Sequence, residues 1–251
     1  MKDYSLYAKA SVSMSKDHTF ITTIESIINN NDINYIVESG TYIGTGSTRT
    51  ISDILAKTTK NLKKFYTIEV DNTFFRKAKK NLKKYSFVEP IWGISVDPEV
   101  AINFVNSDEA IVNHQKYPDV FIDTLINPVE FYTNEIKGQF SRLSVKPTLW
   151  DRIFKQKTLS EEKFQKNVFK DLLPKIKNSN PIILLDSAGG IGWLEFKTVM
   201  EYMRNDPFII ILDDIHHLKH FRSLEYIENS EKFTIINKSI QDGWVIANYK
   251  P

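Results

Sequence analysis

At 251 residues, 41% hydrophobic, 25% charged and close to neutral at +2, the chain suits one large globular domain or a core domain with an insertion. No apolar run reaches the roughly 20 residues of a membrane-spanning helix, and MKDYSLYAKASVSMSKDH at the start lacks the apolar core of a secretory signal. Zero cysteines exclude a disulfide framework and thiolate chemistry, and the cytoplasm is the expected compartment.

In chain order, TFITTIESIINN (19–30) carries apolar side chains at helical spacing and predicts a helix ahead of a first strand, Tyr35 to Glu38. Gly40, Gly44 and Gly46 punctuate the turn that follows, and a helix runs from Thr48 to about Lys60. Glycine permits positive φ and close backbone approach, and a helix beginning beyond such a turn presents free N–H groups. Strand, glycine turn and helix in that order hold nucleotide-like cofactors in α/β folds. FYTIEV (65–70) predicts strand two, Thr73 to Lys84 a helix, and Phe87 to Ile94 a third strand that Pro90 makes short or edge-bent.

Pro98 to Asn106 reads as a helix, PDVFIDTLINPVEFY as an apolar run closed by a proline, Lys146 to Ser160 as aperiodic and Glu161 to Lys177 as helical. Four apolar strands follow: PIILLD (181–186), FIIILDD (208–214), FTIINKS (233–239) and GWVIANY (243–249), with a helix from Trp193 to Arg204 between the first two. Alternating strands and helices imply a mostly parallel sheet covered on both faces. Only three residues separate the last two strands, too few for a crossover, so they form an antiparallel hairpin. Lys57, Lys60, Lys63, Lys64, Arg76, Lys77, Lys79, Lys80, Lys83 and Lys84 crowd residues 57–84. A nucleic-acid groove can look like this, but no aromatic stacking pattern accompanies the lysines, and solvated helix faces are the expected reading.

Four strands finish in acid, at Glu38, Glu69, Asp186 and Asp213–Asp214. In a parallel sheet these C-terminal ends line one edge, where α/β ligands bind, although a single such Asp often only caps a helix or starts a turn. Glu69 ends strand two, where an ionised carboxylate can accept both ribose hydroxyls. Asp186, Asp213 and Asp214 repel one another unless a cation or protons neutralise them, and hard oxygen ligands suit Mg²⁺ or Ca²⁺. His216, His217 and His220 could shift that choice towards Mn²⁺, Fe²⁺ or Zn²⁺, or act as a base.

The ordered set E-S-G-T-Y-I-G-T-G-S (38–47), T-I-E-V-D (67–71), G-I-S-V-D (93–97), L-L-D-S (184–187) and L-D-D-I (212–215) resembles class I S-adenosylmethionine-dependent methyltransferases. Within them it looks like the metal-dependent small-molecule O-methyltransferases, the catechol and macrocin O-methyltransferase-like group. The resemblance covers about 33–97 and 181–251, and GWVIANYKP fits the group's last antiparallel strand. It implies a single domain over 1–251 with a Rossmann-like, seven-stranded, mostly parallel sheet, an antiparallel last strand and helices on both faces. Residues 1–32 are then an N-terminal helical extension, and 100–178 an insertion before strand four, serving as lid or oligomer contact. The resemblance further implies that Glu38, Gly40, Thr41, Gly44 and Ser47 surround the methionine part of the cofactor. Glu69 takes the ribose, Ser95 lies at the adenine with Gly93 giving the backbone room, and Asp186 stands beside the cofactor. Asp186, Asp213 and Asp214 hold a divalent metal, expected to be Mg²⁺, that would bind and acidify an acceptor hydroxyl.

The group often places a Lys or His base three residues after its first metal Asp, and here that position is Gly189. His216, His217 and His220 are the nearest candidates; if 215–227 is helical, His216 and His220 share a face. The expected acceptor is a small molecule, with nucleic acid and membrane partners not expected and a homo-oligomer compatible; Trp150, Phe131 and Tyr132 could shape the acceptor pocket or a dimer contact. An RNA methyltransferase and a non-catalytic cofactor-binding domain of the same fold are the alternatives. A nicotinamide-dependent oxidoreductase fits poorly, because Arg49 stands where G-x-G-x-x-G needs a small residue.

Overall fold

The computed structural model describes residues 14–58, 61–144, 163–188 and 190–251. The first described helix, α1 (His18–Asn30), is capped by Asp17, which accepts from the Thr19 amide at 2.8 Å. The same carboxylate accepts from the Trp244 indole at 2.7 Å and so joins the first helix to the last strand. Strand β1 (Tyr35–Ser39) leads through the glycine turn into α2 (Ser47–Thr58), and β2 (Lys64–Glu69) leads into α3 (Asn72–Leu82). β3 (Val88–Trp92) precedes α4 (Pro98–Ser107), the short α5 (Glu109–Val112), α6 (Pro128–Ser144) and the single turn of α7 (Val168–Leu172). β4 (Ile182–Leu185), α8 (Gly192–Met203), β5 (Phe208–Leu212), α9 (Phe221–Asn229), β6 (Phe233–Ser239) and β7 (Trp244–Tyr249) complete the chain.

One seven-stranded sheet runs in the order β3-β2-β1-β4-β5-β7-β6. The first five strands are mutually parallel, whereas β7 is antiparallel to both β5 and β6. This is the Rossmann-like, seven-stranded, mostly parallel sheet that the resemblance implies, with the last hairpin as expected.

Successive strand residues point to opposite faces, and the central strands are apolar on both. Ile36, Ile182, Leu184, Ile209, Ile211, Trp244 and Ile246 pack in one core with Phe20, Ile24, Ile51 and Leu55 of α1 and α2. Their neighbours Val37, Ile183, Leu185, Ile210, Leu212, Val245 and Ala247 pack in the other with residues of α4, α6, α7 and α8. Asp71 caps α3 and Asp97 caps α4, so two of the acids in the quoted motifs serve helix starts.

One expectation differs from the structure. Pro90 does sit on an edge strand, but Gln165 pairs with Gly93 beside it, donating to Trp92 O at 2.9 Å and accepting from the Ile94 amide at 3.0 Å. That bridge draws the start of the expected 161–177 helix into extended chain. Helix begins only at Val168, after Asn167 at φ 55, and Leu173–Ile176 continues as a 3-10 turn through Pro174. The aperiodic stretch Lys146 to Ser160, Trp150 within it, residues 1–13 of the N-terminal extension and Lys60 lie outside the described residues.

Ile210 is fully buried in the central strand β5. Ile210→Ala is expected to lower the unfolding free energy by about 2–5 kcal/mol, read from urea midpoints.

Candidate functional site

β1 ends where Gly40 takes φ 94 and the Gly40 and Thr41 amides both donate to Ile68 O, at 3.1 and 3.2 Å. A side chain at Gly40 would collide with the Asp186 carbonyl, so glycine is required for β1 and the end of β4 to lie this close. Glu38 is fully buried and accepts from Ser47 Oγ at 2.7 Å, Thr48 Oγ1 at 2.7 Å and Thr67 Oγ1 at 2.6 Å. Thr41 is hydrogen-bonded to Thr67 in the same knot. Glu38, Thr41 and Ser47 thus join β1, β2 and the first turn of α2 behind the turn, while Gly44 (φ 68) packs on Leu82 of α3. Burial pushes the Glu38 carboxyl up to about 7 against the lowering effect of its three hydroxyl bonds.

In front of the turn lies a cavity of about 280 Å³ lined by residues including Gly40, Glu69, Ser95, Asp186 and Glu195. Of the expected cofactor residues, Gly40, Glu69, Ser95 and Asp186 reach its wall; Glu38, Thr41, Gly44 and Ser47 do not. Glu69 accepts from the Tyr42 amide at 2.7 Å and the Asp71 amide at 2.8 Å. Two carboxylate oxygens can take about four hydrogen bonds, which leaves acceptor capacity facing the cavity. Burial raises this carboxyl to about 7. Tyr42, in the left-handed region at φ 52, lies edge-on to Phe74 at 4.5 Å at the lip. Gly93 lines the cavity too, but the backbone that comes close to it is that of Gln165.

Glu195 is a site residue that the sequence reading passed over. From α8 it reaches the cavity floor, fully buried, and accepts from Ser39 at 3.1 Å, from Ser187 at 2.6 Å and from Ser95. Three strand ends therefore meet on one carboxyl, which burial shifts upward. Locally Glu195 is only an acid in the first turn of a helix, a common complement to the helix dipole, so nothing in the sequence marks it.

The sheet edge does bring Asp186, Asp213 and Asp214 together, but around a side chain. Lys219 Nζ lies 3.0 Å from Asp186 Oδ1 and 2.9 Å from Asp214 Oδ2, and the Lys219 side chain is 7% exposed. Asp213 instead turns Oδ1 to the Asp214 amide at 3.0 Å, with Asp214 in the left-handed region at φ 56. Burial pushes the Asp214 carboxyl up, but the Lys219 charge and hydrogen bond, with His217 nearby, together outweigh it and hold the group below the usual range. Asp213 is raised far above that range by burial, then by Asp186 and Asp214. Mg²⁺ requires oxygens at 2.0–2.1 Å in near-octahedral order, in space that the ammonium fills. Among the described residues no group of three or more His, Cys, Asp or Glu is arranged to hold a metal ion. The expected metal set does not fit, because the neutralising cation is a lysine from the turn after β5. A lone Lys in DDIHHLKH, next to acids needing a cation, was the available signal.

The histidines also differ from expectation. Helix starts at Phe221, not 215, so His216 and His220 share no helical face. His216 Nε2 lies 2.6 Å from Ile240 O in the β6–β7 hairpin. His217 Nε2 is 3.2 Å from Asp123 Oδ2, which also accepts from Tyr132 OH at 2.8 Å. His220 is fully buried against Gly192, and burial, then the Lys219 charge, holds its pKa well below the ordinary value. None of the three lines the cavity, so none stands where a base would meet an acceptor there. Gly189, at the group's usual base position, lies outside the described residues. Tyr132 is fully buried, its ring against Gly190, and offers no surface to a partner; Phe131 is half exposed. Lys77, Lys79, Lys80, Lys83 and Lys84 are exposed on or just beyond α3, and none lines the cavity.

No family model and no curated protein matches the chain. Among solved structures it is similar to an O-methyltransferase from Bacillus cereus in complex with SAH, at 12% identity and TM-score 0.47, over 100% of this chain and 92% of that one. An rRNA methylase from Streptococcus thermophilus aligns at 11% identity and TM-score 0.39, over 93% and 95% of the two chains. A fibrillarin pre-rRNA processing protein from Methanococcus jannaschii does so at 10% and 0.42, over 89% and 69%. Identities this low leave substrate and residue roles to the site itself.

Glu38 remains protonated in the fold up to about pH 7 but ionises near its ordinary 4.5 once unfolded. Between those values the folded chain binds more protons, so this stabilisation is complete below about pH 4.5 and is lost as pH rises through about 7. Urea midpoints are expected to fall over that window, and Glu38→Gln to flatten the fall by up to about 3 kcal/mol.

Proposed function

We propose that the cavity is an S-adenosylmethionine site and that the chain transfers the methyl group to a small-molecule hydroxyl. One observation carries the reading: the cavity wall holds Glu69, Asp71, Glu135, Asp186 and Glu195 and, among the described lining residues, no Lys or Arg. Such a wall favours a ligand bearing positive charge and disfavours the diphosphate of a nicotinamide dinucleotide or an RNA backbone. S-adenosylmethionine supplies an activated methyl group on a sulfonium and also carries an α-ammonium.

In this reading Glu69 accepts the ribose hydroxyls with the capacity its two backbone bonds leave free. Gly40 keeps the wall open beside Asp186, and the Glu195 knot holds Ser39, Ser95 and Ser187 in fixed positions on the floor. Glu135, whose Oε2 is buried without a hydrogen-bond partner, is available to an ammonium. Positioning an acceptor oxygen in line with the methyl carbon is then the main catalytic contribution of the fold. A second reading, cofactor binding without transfer, draws on one fact: among the described lining residues there is no His or Lys to take a proton.

Isothermal titration is expected to show S-adenosylmethionine binding and no NAD binding. Glu69→Ala should weaken the former by about ten- to a hundredfold, the loss of hydrogen bonds to a charged group. Binding of NAD with S-adenosylmethionine silent would sink the proposal. Binding without release of S-adenosylhomocysteine across a panel of hydroxylated acceptors favours the second reading.

A further inference from the structure

The resemblance implies a divalent metal at the ends of β4 and β5, and the chain instead builds a buried ammonium there. Lys219 reaches two carboxylates from two different strand ends, 3.0 Å from Asp186 and 2.9 Å from Asp214, with 7% of its side chain exposed. Its backbone is held independently of those ion pairs. The Lys219 amide donates to His217 Nδ1 at 3.1 Å, and its carbonyl packs so closely on α8 that a Cβ at Gly192 would stand 2.8 Å away. The turn therefore delivers the ammonium from a fixed position rather than on a free surface loop.

We propose that Lys219 is a resident cation that takes the place of a divalent metal between Asp186 and Asp214 and closes this corner of the cavity to metal ions. A metal could enter only by displacing the ammonium from both carboxylates, which breaks two short ion pairs. Asp213 turns Oδ1 to the Asp214 amide, so the short ion pairs of Lys219 run to Asp186 and Asp214. Asp186 lines the cavity, and its Oδ1 is held by this ammonium. The inference concerns metal binding alone and stands or falls apart from methyl transfer.

The test is titration of the full chain, without cofactor, with MnCl₂ while the sharp electron paramagnetic resonance signal of free Mn²⁺ is followed. The wild-type chain is expected to leave Mn²⁺ free. Lys219→Ala, checked for folding by circular dichroism, should bind a single Mn²⁺ roughly a hundredfold more tightly than wild type, from relief of the ammonium's repulsion. Adding Asp186→Asn to that variant should abolish the binding, and Lys219→Arg, which restores a cation, should remain metal-free. Wild-type binding of a single Mn²⁺ that Asp186→Asn removes would overturn the proposal, and so would equal affinity in wild type and a folded Lys219→Ala. If Lys219→Ala does not fold, wild type and Asp186→Asn decide alone: free Mn²⁺ in both supports the resident cation.

Discussion

Glu38 ends β1 with no contact to water and no cation, and it satisfies its carboxyl with hydroxyls from Ser47, Thr48 and Thr67. Everything in front of it depends on that arrangement. A carboxyl in the interior costs much unless it is hydrogen-bonded, and three hydroxyls from two further elements meet that need only when β2 and α2 are both in place. The knot therefore fixes where the glycine turn leaves the sheet, and the turn fixes how close Gly40 comes to Asp186. Glu195 repeats the device one layer on, with Ser39, Ser95 and Ser187 as donors from three strand ends. Both carboxyls are ringed by hydroxyls and lean neutral; Glu195 lines the cavity, whereas Glu38 sits behind the turn.

The third buried acidic group is solved differently. Asp186 and Asp214 meet an ammonium instead of hydroxyls, Lys219 from the turn after β5. The ammonium is 7% exposed and the two carboxylates about a quarter exposed, so the Lys219 bridge between two strand ends belongs to the fold as well as to the site. Among the described residues, the cavity wall carries the carboxyls of Glu69, Asp71, Glu135, Asp186 and Glu195, while the Lys219 ammonium is held by Asp186 and Asp214 and does not line it.

Much of this was readable from local pattern. The apolar runs 182–185 and 208–212 are buried on both faces because parallel strands covered by helices must be, and Pro90 lies at an edge because it cannot donate to a second ladder. Asp71 and Asp97 cap their helices through bonds that span two or three residues, a local signal that the sequence reading did not use. The features that escaped are long-range. Lys219 meets Asp186 from 33 residues away and Glu195 meets Ser95 from 100, and neither separation carries a period. The segment before Val168 failed for the same reason: helix propensity is a weak prior, and a bridge to Gly93 outweighed it.

The sheet order has a consequence for how the chain is made. β6 touches no strand except β7, and β7 is the later of the two to be synthesised, yet it must lie between β6 and β5. A nascent chain that has emerged only as far as β6 has a strand with no place to go, and the exposed edge of β5 waits with it. Trp244 then closes a hydrogen bond to Asp17, which left the ribosome long before. Completion of the sheet is thus a late event that joins the two ends of the described chain, and until it happens the edge of β5 is open to pairing with another copy.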